Sequence, residues 1–311
     1  MNEHDSNITR RTAISLAAAT SAATLLPSLP AWAQTAPISR KIPSSGELLP
    51  VIGIGTAIIF DFDNDKAKLD ERAEVIKTLV AGGGKLIDTA PSYGKAEDRL
   101  GDLFAITGLR DKIFLATKVR VAGREDTIAE MKRSFEKMRV SKVELMQLHN
   151  VRNPNQDLAL LREWKSQGLC KYIGLTSSFD RDYAAVEATL KREKPDFFQI
   201  DYSMVDRNSE ERLIPAAADA GCAILTNLPF GRGKFFQKTA GKPLPDWAVK
   251  EIGVTSWAQY GLKWLLGNPA INAVIPGTDK PQYMVDNLKA GIGNMPDAAM
   301  RKRMAEHFEG L

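Results

Sequence analysis

Cysteine is almost missing from this chain. Its 311 residues contain two, too few for a disulfide framework. Histidine is nearly as scarce: of the three, His4 lies near the start and His307 near the far end, which isolates His149. Neither charge sign dominates, because 42 Lys and Arg against 38 Asp and Glu leave only +4. No long basic run occurs, so there is no clustered footprint for nucleic acid. Downstream of residue 33 no apolar stretch is long enough to cross a bilayer. What remains is an ordinary globular composition, 44% hydrophobic and 26% charged, which excludes collagen-like, disordered and disulfide-stapled classes. The length suits two average domains or one α/β barrel of about 250 residues.

Residues 1–33 read as an export signal. Arg10 and Arg11 supply the positive region, an Ala-rich apolar stretch follows from Ala13 to Leu29, and Ala31-Trp32-Ala33 offers a cleavage site. The paired arginines resemble the twin-arginine signal, although Ala13 replaces the usual aromatic, and an ordinary secretory signal with two arginines is the alternative reading. That route implies recognition by the twin-arginine export machinery, translocation of a folded chain, and a periplasmic address with no stable membrane span after cleavage. Residues 34–311 are then expected to form one domain.

A rhythm runs through that domain. Short apolar runs begin near Leu49, Lys85, Ile113, Val143, Lys171, Phe197, Cys222 and Ile271, at steps of 25–30 residues from the second run until a final step of 49. Between them the apolar positions have helical spacing. Ile128, Met131, Phe135 and Met138 form one stripe, with Glu130, Lys132, Arg133 and Lys137 assigned to the opposite face; Leu158, Leu161 and Trp164 form another, ended by Gly168. Eight strand–helix units with parallel pairing close into a (β/α)8 barrel. Residues 38–50, with a Pro43–Gly46 turn, read as a hairpin before the first barrel strand, and an extra helix is expected at the C-terminus. The long step leaves Leu228 to about Gly253 as a loop, read as a mobile flap. Cys170 and Cys222 precede the fifth and seventh strands, which are not neighbours. A bridge needs Cα atoms within about 7 Å, so two free buried thiols are expected.

In such a barrel, function gathers at the C-terminal ends of the strands. Those ends read Gly55-Thr56, Asp88, Lys118, His149, Ser177, Gln199, Asn227 and Gly277-Thr278. Ionisable groups that end apolar strands are costly unless paired, and adjacent strands lie about 4.8 Å apart. Asp88, Lys118 and His149, from three consecutive strands, are therefore expected to converge, with Tyr93 on the loop after the second strand. An ammonium beside a phenol favours the phenolate, so Lys118 is expected to lower the pKa of Tyr93, with Asp88 holding Lys118. His149 would donate to a bound carbonyl oxygen. Such a set suits protonation of an aldehyde or ketone as hydride arrives.

At these residues the chain resembles the aldo-keto reductase superfamily over Ile38 to Leu311. The resemblance is carried by Gly53-Ile54-Gly55-Thr56, Asp88-Thr89-Ala90, Ser92-Tyr93-Gly94, Ala116-Thr117-Lys118, Leu148-His149-Asn150, Gln199-Ile200-Asp201-Tyr202 and Ile275-Pro276-Gly277-Thr278. It implies a reductase moving hydride from NADPH to a small carbonyl substrate without metal. Tyr93 would be the proton donor, Lys118 and Asp88 its tuners, and His149 the orienter of substrate. It also implies that Thr56 belongs to the cofactor site and that Ser177 and Gln199 hold the nicotinamide carboxamide. Gly231, Arg232 and Lys234 would hold the pyrophosphate under the flap. Thr278, Lys280, Gln282 and Asn287 would hold the adenosine end at the start of the last helix, where a helix N-terminus suits phosphate.

Three positions depart from the family pattern. Asn227 stands where many members stack an aromatic on the nicotinamide. Thr176-Ser177 replaces the usual Ser-Asn. Tyr283 replaces an arginine used for the 2′-phosphate, leaving Lys280 to substitute and NADH as a possible cofactor. Two other readings stay open: a Schiff-base lyase using Lys118, and a slow-turnover nucleotide-binding sensor.

Overall fold

The computed structural model describes residues 37–120, 123–150, 155–178 and 180–311. The export signal assigned to residues 1–33 lies outside them.

Two short strands, β1 (Ser39–Lys41) and β2 (Leu48–Pro50), pair antiparallel around a turn closed by Gly46 at φ +75°. Eight parallel strands follow. They are β3 (Ile54–Gly55), β4 (Leu86–Asp88), β5 (Phe114–Val119), β6 (Val143–Leu148), β7 (Cys170–Ser177), β8 (Phe197–Asp201), β9 (Ala223–Asn227) and β10 (Ile271–Val274). Each pairs with its neighbour in chain order. The ring is closed between its two ends by parallel bridges Ile52–Val274 and Gly55–Gly277 and by hydrogen bonds such as Gly53 N to Val274 O at 2.9 Å. This is the (β/α)8 barrel the sequence rhythm implies, with the hairpin in front of it.

The outer helices are α1 (Lys66–Ala81), α2 (Ala96–Thr107), α3 (Arg124–Met138), α4 (Asn155–Ser166), α5 (Tyr183–Glu193), α6 (Leu213–Asp219), α9 (Trp257–Leu266) and α10 (Pro281–Ala290). Between β9 and α9 lie two more, α7 (Lys234–Thr239) and α8 (Asp246–Ile252), and α11 (Ala298–Glu309) ends the chain. The helix stripes behave as their spacing requires: Met131, Phe135 and Met138 of α3 are buried against the sheet. Glu130 does not keep to the solvent face assigned to it. It is buried, and its carboxylate accepts from Arg120 N at 2.6 Å, satisfying a backbone donor at the end of β5.

Alternation along the strands sorts the core into two sets. One lies between strands and helices. The other fills the barrel interior: Leu86, Phe114, Ala116, Leu145, Tyr172, Phe197, Ala223, Leu225, Ala273 and Ile275, with Ile42 and Leu49 of the hairpin. The hairpin is therefore the floor. Glu47 in its turn accepts from Tyr172 Oη and Lys171 Nζ, both at 2.7 Å, and from Lys85 Nζ at 3.2 Å. Cys170 and Cys222 are free and buried, and burial pushes both thiols up to about 12.

Two expectations about the late part of the chain are corrected. The 228–253 segment is not an irregular flap: it carries α7 and α8, and buried Phe235 stacks on Phe308 of α11 with centroids 5.0 Å apart. The helix that follows Thr278 is α10, and α11 comes after it.

Candidate active site

The interior faces change character two residues up each strand. Leu86 is followed on the same face by Asp88, Ala116 by Lys118, Leu145 by Gln147 and Phe197 by Gln199. The apolar plug thus ends in a polar layer at the C-terminal mouth. Lys118 and Gln147 are register partners, and Gln147 is in turn the partner of Gly174.

Lys118 is the hub. Its buried Nζ donates to Asp88 Oδ2 at 2.6 Å, to Thr89 O at 2.8 Å and to Tyr93 Oη at 3.3 Å, and it lies 4.9 Å from the centre of the Tyr93 ring. Burial pulls the ammonium down, but the Asp88 and Tyr93 oxygens outweigh it and hold Lys118 above the ordinary lysine value. Asp88 receives two further donors, Gln147 Nε2 at 3.2 Å on Oδ1 and Gln199 Nε2 at 3.4 Å on Oδ2.

Tyr93 is placed by its loop. Gly94, at φ +57°, brings the chain against the Asp61 carboxylate, which accepts from Lys95 N at 2.9 Å. The lowered phenol pKa expected from the ammonium is not what the site produces. Burial raises the pKa of Tyr93, Asp88 adds to that, and Lys118 offsets only part of it. The phenol therefore keeps its proton at neutral pH.

His149 extends the ladder from β6 through its N–H to Val119 O at 2.9 Å. Its ring meets Tyr93 edge-on, with centroids 5.8 Å apart and planes at 88°, and Nδ1 lies 3.3 Å from Ser92 Oγ. Burial first, then the charges of Lys118 and Arg120, pulls its pKa down to about 3. The imidazole is neutral, so one nitrogen carries a hydrogen to donate. Asp88, Tyr93, Lys118 and His149 thus share one mouth.

The remaining candidates lie further round the rim. Gln199 is in the polar layer. Strand parity puts Thr176, not Ser177, on the Gln199 face, and Thr176 Oγ1 accepts from Asn150 N at 2.8 Å. Gly231, Arg232 and Lys234 line a cavity of about 460 Å³ together with Asp201 and Arg207. A second cavity of about 460 Å³ lies between Phe230, Phe236, Trp257, Tyr283 and Asn287. Thr278 is buried and receives Asn287 Nδ2 at 2.9 Å. Lys280 precedes the first turn of α10, and Gln282 is exposed. Thr56 Oγ1 and Asn227 Oδ1 are buried without a hydrogen-bond partner, polar atoms that a ligand's amides or hydroxyls would satisfy. One cavity lined by Arg207, Arg232 and Lys234 as well as Asp201 and Asp206, one aromatic cavity and these atoms offer the charged, stacking and hydrogen-bonding groups that a dinucleotide would use. Gln147 is the residue that reading strand ends missed; its signal was a polar side chain two positions before His149 on the same face.

A sequence model described as "Aldo/keto reductase family" matches residues 51–304. An aldo-keto reductase of Strobilurus tenacellus is 28% identical over 282 residues, covering 77% of this chain and 82% of its own. A probable aldo-keto reductase of Glycine max is 25% identical over 90% of each chain. Among solved structures, an aldo-keto reductase from Klebsiella pneumoniae in complex with NADPH superposes with a TM-score of 0.74 over 87% of this chain and 95% of its own, at 18% identity. That last likeness is one of fold.

Proposed function

The chain belongs to the aldo/keto reductase family, and from that premise we propose that it reduces a small aldehyde or ketone to an alcohol with a nicotinamide dinucleotide, Tyr93 acting as the acid. One observation carries the reading: a single buried ammonium, Lys118, reaches both the Asp88 carboxylate and the Tyr93 phenol at the barrel mouth.

A reduced nicotinamide, when bound, supplies the hydride that adds to the carbonyl carbon. The protein's part is to orient the carbonyl and deliver a proton to its oxygen. Neutral His149 donates a hydrogen bond to that oxygen, and Tyr93 Oη gives up its proton as negative charge develops there. Lys118 stabilises the phenolate left behind, and Asp88 keeps the ammonium charged and in place. A buried cation without such a partner would be costly.

Gln199 and Thr56 are assigned to the nicotinamide end, with Thr176 rather than Ser177 on the Gln199 face of β7, and Gly231, Arg232 and Lys234 to the pyrophosphate. Thr278, Lys280, Gln282 and Asn287 are assigned to the adenosine end. NADPH is the preferred cofactor in this reading, Lys280 being the cation nearest the start of α10. Residues 1–33 are read as a twin-arginine export signal, so the folded enzyme would travel to the periplasm already loaded with nucleotide.

The deciding experiment is Tyr93→Phe. Turnover with an aldehyde panel is expected to fall by about 10²–10⁴-fold, the range of general acid catalysis, while NADPH affinity measured by fluorescence stays nearly unchanged. Equal turnover in the two proteins would remove Tyr93 as the acid. Borohydride trapping of substrate on Lys118 would instead favour the imine-forming lyase.

A further inference from the structure

Gln147 is buried on the floor of the site, and nothing in the proton transfer described above requires it. Its Nε2 donates both to Asp88 Oδ1 at 3.2 Å and to Gln199 Oε1 at 2.9 Å. Gln199 Nε2 closes the triangle on Asp88 Oδ2 at 3.4 Å. The orientation of the Gln147 amide follows from its partners, because a carboxylate only accepts. Both N–H groups are thereby used, and Oε1 is left buried with no partner.

A second cost accompanies that orphan oxygen. A Cβ on Gly174, across the ladder, would meet Gln147 Cγ at 2.9 Å and Oε1 at 3.2 Å. The middle of β7 is stripped to glycine, which weakens a strand, and the space is used by this side chain. An apolar residue at 147 would continue the core of Leu145 without the orphan oxygen.

We infer that Gln147 is a positioning residue that ties Gln199, the seat of the nicotinamide carboxamide, to the Asp88–Lys118 pair. Ring binding and the electrostatic setting of Tyr93 are then coupled through one amide. The inference rests on the carbonyl-reductase reading above.

The test compares Gln147→Met, similar in size but without the amide, with the nearly isosteric Gln147→Glu. In Gln147→Met, kcat is expected to fall about 10–100-fold, the scale of a hydrogen bond to a charged group. NADPH affinity is expected to weaken roughly fivefold, the scale of one neutral hydrogen bond. Affinity for adenosine 2′,5′-bisphosphate, which lacks the nicotinamide, should not change. A side chain that only filled space would shift neither ratio.

Asp88 is the carboxylate hydrogen-bonded to Gln147, and Lys118, the partner of Gln147 across the ladder, already donates to Asp88 and to Tyr93. In Gln147→Glu the new carboxyl, while protonated, donates to Asp88 as the amide does, whereas once ionised it repels Asp88. Relative to the native enzyme, turnover of Gln147→Glu is therefore expected to recover on acidification and fall as pH rises. The inference is overturned by a Gln147→Met protein with native NADPH-to-bisphosphate selectivity, or by a Gln147→Glu protein with the native pH profile. If Gln147→Met does not fold, the Gln147→Glu variant decides alone. Native turnover in Tyr93→Phe would remove Tyr93 as the acid, and the coupling inferred here with it; an inactive Tyr93→Phe beside a native-like Gln147→Met would overturn only the role of Gln147.

Discussion

At the residue scale, burial sets the protonation states at the mouth. Tyr93 and His149 both lie close to the Lys118 ammonium, yet desolvation is the larger influence on each. It keeps the phenol protonated and the imidazole neutral, the two forms that can donate. The pH–rate profile is accordingly expected to show no inflection near 6.5 and to fall only at alkaline pH, as Tyr93 loses its proton. His149 also leaves a mark on stability. Its folded pKa of about 3 lies below the unfolded value of 6.5, so on acidification the unfolded chain takes up the proton first. Stability should therefore decline as pH falls from 6.5 toward 3, with a limiting slope from this group of about 1.4 kcal/mol per pH unit. Urea melts of native and His149→Asn proteins measure it; equal slopes in the two would show that the imidazole is not buried neutral.

At the scale of elements, strand parity explains why chemistry and core coexist on the same strands. The side-chain period of two puts Asp88, Lys118 and Gln147 directly above Leu86, Ala116 and Leu145, so the polar layer rests on a packed plug. The segment between β9 and α9 works differently. There α7 is too short to be stable by itself and is held by Phe235, whose ring packs against Phe230, Phe236, Trp257 and Phe308. Phe235→Ala is expected to cost about 3–5 kcal/mol. Because Gly231, Arg232 and Lys234 precede that anchor, nucleotide affinity should weaken as well. Calorimetry and fluorescence titration read the two effects, and unchanged affinity in a destabilised variant would separate α7 from the cofactor site.

At the scale of the whole molecule, closure of β10 onto β3 and the hairpin floor give the barrel one open end. The site is therefore approached from a single side, bordered by the loops after the strands and by the 228–253 segment. The export proposed for residues 1–33 would take the enzyme to a compartment without an evident pool of reduced nicotinamide, and that proposal requires the nucleotide to be on board. Protein recovered from the periplasm is expected to release nicotinamide nucleotide when denatured. Nucleotide-free protein from that fraction would count against loading before export.

Much of this was already legible in the chain. Apolar runs at near-constant steps dictate eight buried strands, because only parallel strands covered by helices bury such runs on both faces. Polar residues at the ends of those runs dictate where the chemistry lies, since strand ends are where such groups reach water or one another. Tertiary structure alone decided the rest, because it depends on what surrounds each group. Desolvation at the closed mouth reversed the sign expected for Tyr93, a neighbouring backbone N–H drew Glu130 inward, and packing against α11 turned an apparent loop into helices. The pairing of Gln147 with Gly174 likewise appears only when β6 and β7 lie in register, for a side chain's partners across a ladder are written in another segment of the sequence.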